Sequence, residues 1–200
     1  MVSKEIDKKI IQTLVNGGIG VLATDTLYGL VGSALSKKAV EKIYKLRHRD
    51  SKKPLIILIS SLDDLKLFNI KISAEIKKQL LKFWPGKVSI IFSCPAKKFQ
   101  YLHRGTKTLA FRLPAGALAK EGLPNKKSLI SLLKKTGLLV APSANLKGEL
   151  PAKTIKEAKK YFGDKIDFYV DSGKVSGKPS TLIKIENSKI IVLRKGAVKI

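Results

Sequence analysis

Apolar positions along the chain change their spacing several times, and each change marks an element. From Ser3 to Asn16, Ile6, Ile10, Ile11, Leu14 and Val15 keep helical spacing, and Gly17-Gly18 ends the run. Residues 19–23 then read as a strand. Ser36 caps a helix through about Leu46, with Val40, Ile43 and Tyr44 as its apolar stripe. "LIILI" at 55–59 is a continuous apolar run, short enough for a buried strand. Ser60 and Ser61, each followed three residues later by Asp, open a short helix, and Ser73 opens another that ends at Trp84-Pro85-Gly86.

Further on, "VSIIFS" (88–93) and "TLAFRL" (108–113) read as strands, and 126–136 as a lysine-rich amphipathic helix. "LLVA" (138–141) is a strand running into "PSANLKG". Thr154 with Glu157 forms a capping box for a helix to about Phe162. Strands follow at 166–170, 181–185 and 189–194, the last two joined by the "ENS" turn. No repeat, low-complexity stretch or long linker interrupts the series. Strands mixed with helices, closing on a hairpin, predict one α/β domain over 1–200. Its sheet is twisted and mixed, parallel and antiparallel, with helices against it.

Composition adds limits. Two hundred residues, 44% hydrophobic, can bury a core without metals or disulfides. No run reaches the length of a membrane span, and "MVSKEIDKKI" is too charged for a signal peptide. One cysteine, Cys94, excludes an internal disulfide, so a reducing, cytoplasmic setting with no membrane partner is the expectation. Forty Lys and Arg against fifteen Asp and Glu give a net charge of +25. Such an excess favours polyanions, among them nucleotides and RNA. Lysine and isoleucine abundance of the kind an AT-rich genome produces gives the same number, so charge alone leaves both readings open.

Several chemistries are excluded by spacing. "DSGKVSGKPS" (171–180) looks like a phosphate loop. A Walker loop, however, needs Gly where Ser172 stands, and Pro179 separates Lys178 from Ser180. One Cys with His48 and His103 makes no zinc site, and "APSANLKG" lacks the Gly-x-Ser-x-Gly frame of a nucleophile elbow. What is left is a set of polar residues at strand ends. "ATDTLYGL" stops a strand in two hydroxyls, a carboxylate and a phenol. "RHRDSKKPL" (47–55) sets Arg47, Arg49, Lys52 and Lys53 before a buried strand, a grouping that suits phosphate or a solvated loop. Arg112 interrupts an otherwise apolar strand, where alternation also allows it a solvent face. Ser143 and Asn145 are short donors at a strand end, fit for phosphate oxygens or a ribose, or for an ordinary turn.

Taken together and in order, "TDTLYGL", a basic Arg-x-Arg before "KPL", "WPG", "FRLP", "APSANLKG", "GKPSTL" and "VLRKGAV" resemble the YrdC-like threonylcarbamoyl-AMP synthases, from about Gly20 to Ala197. The resemblance implies a YrdC-like fold with a basic concave site. It implies an enzyme, a nucleotidyltransferase, that joins L-threonine, bicarbonate and ATP into threonylcarbamoyl-AMP and pyrophosphate with Mg²⁺ present. A downstream threonylcarbamoyl transferase complex then modifies an adenosine of tRNA. By the same resemblance Thr26, Arg112, Ala141 and Ser180 match threonine-contacting positions. Arg49, Lys53, Thr108, Ser143 and Arg194 match ATP-contacting ones. Arg47, Arg49, Ser143 and Asn145 would form the catalytic group.

There are two departures from the family's pattern. Its usual Lys-x-Arg is replaced by Arg47-x-Arg49, and a histidine of some members falls on Leu58. The charge also implies weak binding of tRNA or double-stranded RNA. Two rival readings stay open: an RNA-binding protein of this fold without catalysis, and an adenylate-forming enzyme that uses another amino acid.

Overall fold

The computed structural model describes residues 1–48, 53–115, 129–186 and 189–200. Its strands are β1 (Val2–Ser3), β2 (Ile19–Ala23), β3 (Tyr28–Ser33), β4 (Ile56–Leu58), β5 (Val88–Ser93), β6 (Thr108–Arg112), β7 (Leu139–Val140), β8 (Phe168–Val170), β9 (Thr181–Glu186) and β10 (Lys189–Arg194). All join one mixed sheet in the order β1-β8-β2-β3-β7-β4-β6-β5-β9-β10. The helices are α1 (Lys8–Val15), α2 (Lys37–Leu46), α3 (Ala74–Leu80), α4 (Gln100–His103), α5 (Leu129–Thr136) and α6 (Ile155–Phe162).

Neighbouring strand residues point to opposite faces, and the core divides accordingly. Val21, Leu30, Ile57 and Val140 belong to the larger cluster, with Val40 and Ile43 of α2 and Ala158 and Phe162 of α6. The adjacent residues Leu22, Val31, Leu58 and Leu139 belong to the second cluster, with Ile10 and Leu14 of α1 and Leu132 and Leu133 of α5. Strands buried on both faces read as continuous apolar runs, which is why "LIILI" carries no alternation. The result is three layers, helix on sheet on helix.

Four helix starts follow their capping residues. Asp7, Ser36, Ser73 and Thr154 accept from the backbone N–H groups of Ile10, Ala39, Ile76 and Glu157 at 2.8–3.2 Å. Each cap is worth about 1 kcal/mol. After Ser61 the chain forms 3₁₀ turns over Leu62–Phe68, and Asp64 Oδ2 accepts from the Ser60 and Ser61 N–H groups at 2.7 and 3.1 Å.

The structure corrects the pattern reading in three places. The first helix begins at Lys8, because Val2–Ser3 is instead a strand paired with Tyr169 and Val170. Residues 28–33, to which the sequence pattern assigned no element, are a full strand antiparallel to β2. The glycines that hide this strand are packing requirements. A Cβ on Gly32 would press on Ile19 and on Ala39 and Ile43 of α2. A further helical segment, Lys97–His103, carried no strong period. The 126–136 helix is described from Leu129, and residues 126–128 lie outside the described residues.

Candidate functional site

The "TDT" turn is built by Thr24. Its hydroxyl donates to the Leu27 carbonyl at 2.8 Å and accepts from the Thr26 and Leu27 N–H groups at 3.3 Å. This side-chain-closed turn joins β2 to β3 and turns Asp25 toward β6. Asp25 Oδ1 lies 2.9 Å from Arg112 Nη2, with the two side chains 2% and 3% exposed. The same Nη2 lies 3.5 Å from Thr24 Oγ1.

β2 and β6 stand four places apart in the sheet, about 19 Å on a flat sheet at the usual spacing. Their contact across that gap requires a sheet coiled on itself, with the turn reaching inward. Burial pushes the Asp25 carboxyl above the usual carboxylate range, and the Arg112 charge offsets only part of that rise. Burial likewise pulls the Arg112 guanidinium below its usual value, with Asp25 opposing. Arg112 Nε has no hydrogen-bond partner among the described residues. A carboxylate entering here would therefore find an oriented guanidinium with donor capacity to spare.

A second group meets the first across the cavity. Arg47, at the C-terminal end of α2, donates from Nε to the Asn145 carbonyl at 3.0 Å. Its Nη2 reaches Asn145 Oδ1 at 2.8 Å and Ser143 Oγ at 3.3 Å. Ser143 Oγ donates to Asn145 Oδ1 at 2.7 Å. Backbone pairing fixes this turn against β3: the Leu30 N–H reaches the Pro142 carbonyl, and the Ala144 N–H reaches that of Tyr28. A planar guanidinium thus stands beside a hydroxyl at a strand end, a suitable grip for phosphate oxygens.

The third wall is the loop of residues 171–180. Tyr28 Oη donates to the Gly173 carbonyl at 2.8 Å and accepts from the Ser172 N–H at 2.9 Å. Gly177 lies so close that a Cβ there would overlap the Thr26 carbonyl oxygen. Ser180 Oγ shares a hydrogen bond with Ser89 Oγ at 2.8 Å, and Arg194 Nη2 donates to the Ser180 carbonyl at 2.8 Å.

These walls enclose a cavity of about 80 Å³. Of the residues singled out from sequence, Thr26, Arg47, Arg112, Ala141, Ser143, Ser180 and Arg194 line it. Asn145 stands behind, holding Arg47 and Ser143. Lys53 is exposed, two residues before the lining residue Leu55. Thr108 is not brought to the cavity. It starts β6, four residues before Arg112 and about 13 Å away along the strand, and bonds to Thr106. Arg49 lies outside the described residues. Leu58 is buried in the α1–α5 core and does not line the cavity.

Sequence reasoning gave no role to Asp25 or Tyr28 and missed Ser89. The signal for Asp25 was available, as a lone carboxylate and a lone guanidinium in two apolar segments. No group of three His, Cys, Asp or Glu suited to a metal ion occurs among the described residues. No described helix is long and apolar enough to cross a membrane.

The turns of this mixed sheet converge on a buried guanidinium and a cluster of hydroxyls. The chain belongs to the Sua5/YciO/YrdC family, described as "telomere recombination", whose model matches residues 12–196. It is 33% identical to a putative threonylcarbamoyl-AMP synthase of Methanocaldococcus jannaschii, over 99% of this chain and 91% of that protein. It is 29% identical to the threonylcarbamoyl-AMP synthase of Pyrococcus abyssi, over 91% of this chain but 51% of that longer protein. The structure of P. abyssi Sua5 complexed with L-threonine superposes with a TM-score of 0.82 at 25% identity, covering 98% of this chain and 57% of that one. Escherichia coli YciO shares the fold, with a TM-score of 0.78 at 20% identity, covering 100% of this chain and 95% of that one.

Proposed function

We propose that the chain is a threonylcarbamoyl-AMP synthase, using L-threonine, bicarbonate and ATP and releasing pyrophosphate. The observation that carries this reading is the convergence of two recognition groups on one cavity. One group is Arg112 with Thr26, Ala141 and Ser180. The other is Arg47 with Ser143, backed by Asn145, while Arg194, bonded to Ser180, lines the same cavity. The relatives with these names are the second support.

The enclosed space is several-fold below the roughly 300–1,000 Å³ of pockets that engulf drug-sized ligands. It suits the smaller substrate. Threonine enters with its carboxylate on Arg112 and its side chain among Thr26, Ala141 and Ser180. ATP lies toward the open side, its phosphates on Arg47, Ser143 and Arg194, with Lys53 adding charge at the rim; Arg49, matched to ATP by sequence, lies outside the described residues. Mg²⁺ arrives with ATP, held chiefly by phosphates and water as that ion prefers.

The threonine amine takes up CO₂, supplied by bicarbonate, and loses a proton to give a carbamate. A carbamate oxygen attacks the α-phosphorus, the bond to the bridging β-phosphate oxygen breaks, and pyrophosphate leaves. Two anions must meet, so the residues contribute positioning and charge neutralisation rather than a covalent intermediate. The product would feed a downstream threonylcarbamoyl transferase complex acting on tRNA. Pyrophosphate release from ATP tests the reading. Release should require threonine, bicarbonate and Mg²⁺ together, and equal turnover with serine, or none with any amino acid, overturns it.

A further inference from the structure

β10 closes one end of the sheet, and among the described residues it pairs only with β9. All six of its residues are exposed. Four in succession are apolar, Ile190, Ile191, Val192 and Leu193, each 40–51% exposed. Because strand side chains alternate, both faces of this strand present apolar surface to solvent. One long edge also carries backbone N–H and C=O groups that the sheet does not use. Natural sheets normally protect such an edge with charge, proline or a covering element. Here the pairing with β9 stays regular from Lys189 to Val192 and shifts only before Arg194. A regular apolar stretch, Ile190–Val192, is therefore left open, with Leu193 at the shift in register beside it.

We propose that β10 is a docking edge for an extended segment of another protein, which adds as a further strand and carries acidic residues at its ends. Charge selects this occupant. Residues 187–200 contain Lys189, Arg194, Lys195 and Lys199 and no Asp or Glu. The carboxylate that precedes this stretch, Glu186, stands opposite Lys189 in the hairpin and is engaged by Lys184. A second copy pairing antiparallel would set Lys189 beside Arg194 of its twin, between two chains of net charge +25. Acidic ends turn that repulsion into attraction, while β-branched residues in the middle cover Ile190–Leu193. Strand addition takes its affinity from main-chain hydrogen bonds and its selectivity from side chains such as these. One short strand buries less than the roughly 1,200 Å² of a stable interface, so the partnership is transient. Arg194 ends this strand and lines the cavity, so the docked partner stands at the rim of the site.

Hydrogen exchange of the whole chain tests the proposal independently of catalysis. The probe is a short blocked peptide of alternating Val and Thr with Glu at both ends. It should slow exchange of the β10 amides, whereas versions ending in Lys or carrying Pro at alternate positions should not. The double variant Ile191→Lys/Val192→Lys should weaken peptide binding by roughly tenfold or more despite its added positive charge. Unchanged β10 exchange overturns the proposal. So does binding that the double variant keeps or strengthens, which would mark attraction to charge alone. Concentration-dependent β10 protection without peptide, with a dimer by light scattering, would overturn it in favour of a second copy.

Discussion

Asp25 and Arg112, 87 positions apart in the chain, meet at 2.9 Å with both side chains almost removed from solvent. The pair ties the β2–β3 turn to the end of β6 across three intervening strands. It also presets the guanidinium that the proposed threonine carboxylate would meet. An isolated buried charge costs far more than a paired one, so neither partner is replaceable alone.

Arg112→Met should abolish threonine-dependent pyrophosphate release and destabilise the fold by about 3–5 kcal/mol at neutral pH. The loss should grow with pH. Burial already raises the Asp25 carboxyl, and Arg112 is the first influence holding it down. Without Arg112 the folded-state value climbs further. A carboxyl raised in the folded state favours folding below its unfolded value, and that contribution is lost as pH rises through the folded value. In the variant this loss continues after the parent's has levelled off. Urea midpoints from pH 5 to 8 check it, and a gap that narrows with rising pH would show that Arg112 is not the counter-charge.

Arg47→Ala and Ser143→Ala should weaken MgATP binding while leaving threonine binding nearly intact. Loss of a charge-assisted hydrogen bond in a partly buried site costs roughly 1.5–3 kcal/mol, about tenfold to a hundredfold. Arg112→Ala should show the opposite preference. Separate titrations of each ligand against each variant decide it. An effect of Arg112→Ala on ATP alone would mean the cavity is divided differently.

The 171–180 loop gives a third expectation. Tyr28→Phe removes one donated and one accepted hydrogen bond, a net loss of about 1–2 kcal/mol. Gly177→Ala forces the loop off the Thr26 backbone. Both should raise KM for threonine more than they lower kcat, because the wall moves while Arg47 and Ser143 stay. Steady-state kinetics with threonine varied at saturating ATP measure the split. A fall in kcat alone would place the loop in the chemical step.

Much of this was legible in the sequence, for a local reason. Caps at Ser36, Ser73 and Thr154 act within three residues, and the apolar runs of β2, β5 and β10 carry their own identity. β3 was not legible, because its glycines answer to α2 and to the turn after β7, which are distant in sequence. Arg112 could be noticed but not oriented. Alternation offered it solvent, and only the coiling of the sheet brings Asp25 to it. Thr108 shows the converse. Motif order grouped it with the ATP-contacting positions, and the structure sets it four residues before Arg112 on β6, outside the cavity lining.

The lysine surface gives the last expectation, weak binding of tRNA or duplex RNA without sequence preference. Lys134 and Lys135 are exposed in the last turn of α5, whose other side packs into the second core cluster. They do not line the cavity. Lys126 and Lys127, grouped with them from sequence, lie outside the described residues. Each phosphate neutralised releases counterions, so log affinity should fall with log salt by roughly 0.7–0.9 per contact. Lys134→Gln/Lys135→Gln should reduce that slope by between one and two, while threonine-dependent pyrophosphate release stays at the parent level. Filter binding of a short RNA duplex across a salt series measures the slope. An unchanged slope would remove α5 from the RNA surface. RNA binding displaced by saturating ATP would put the RNA in the cavity, and the non-catalytic RNA-binding reading would then be the stronger one.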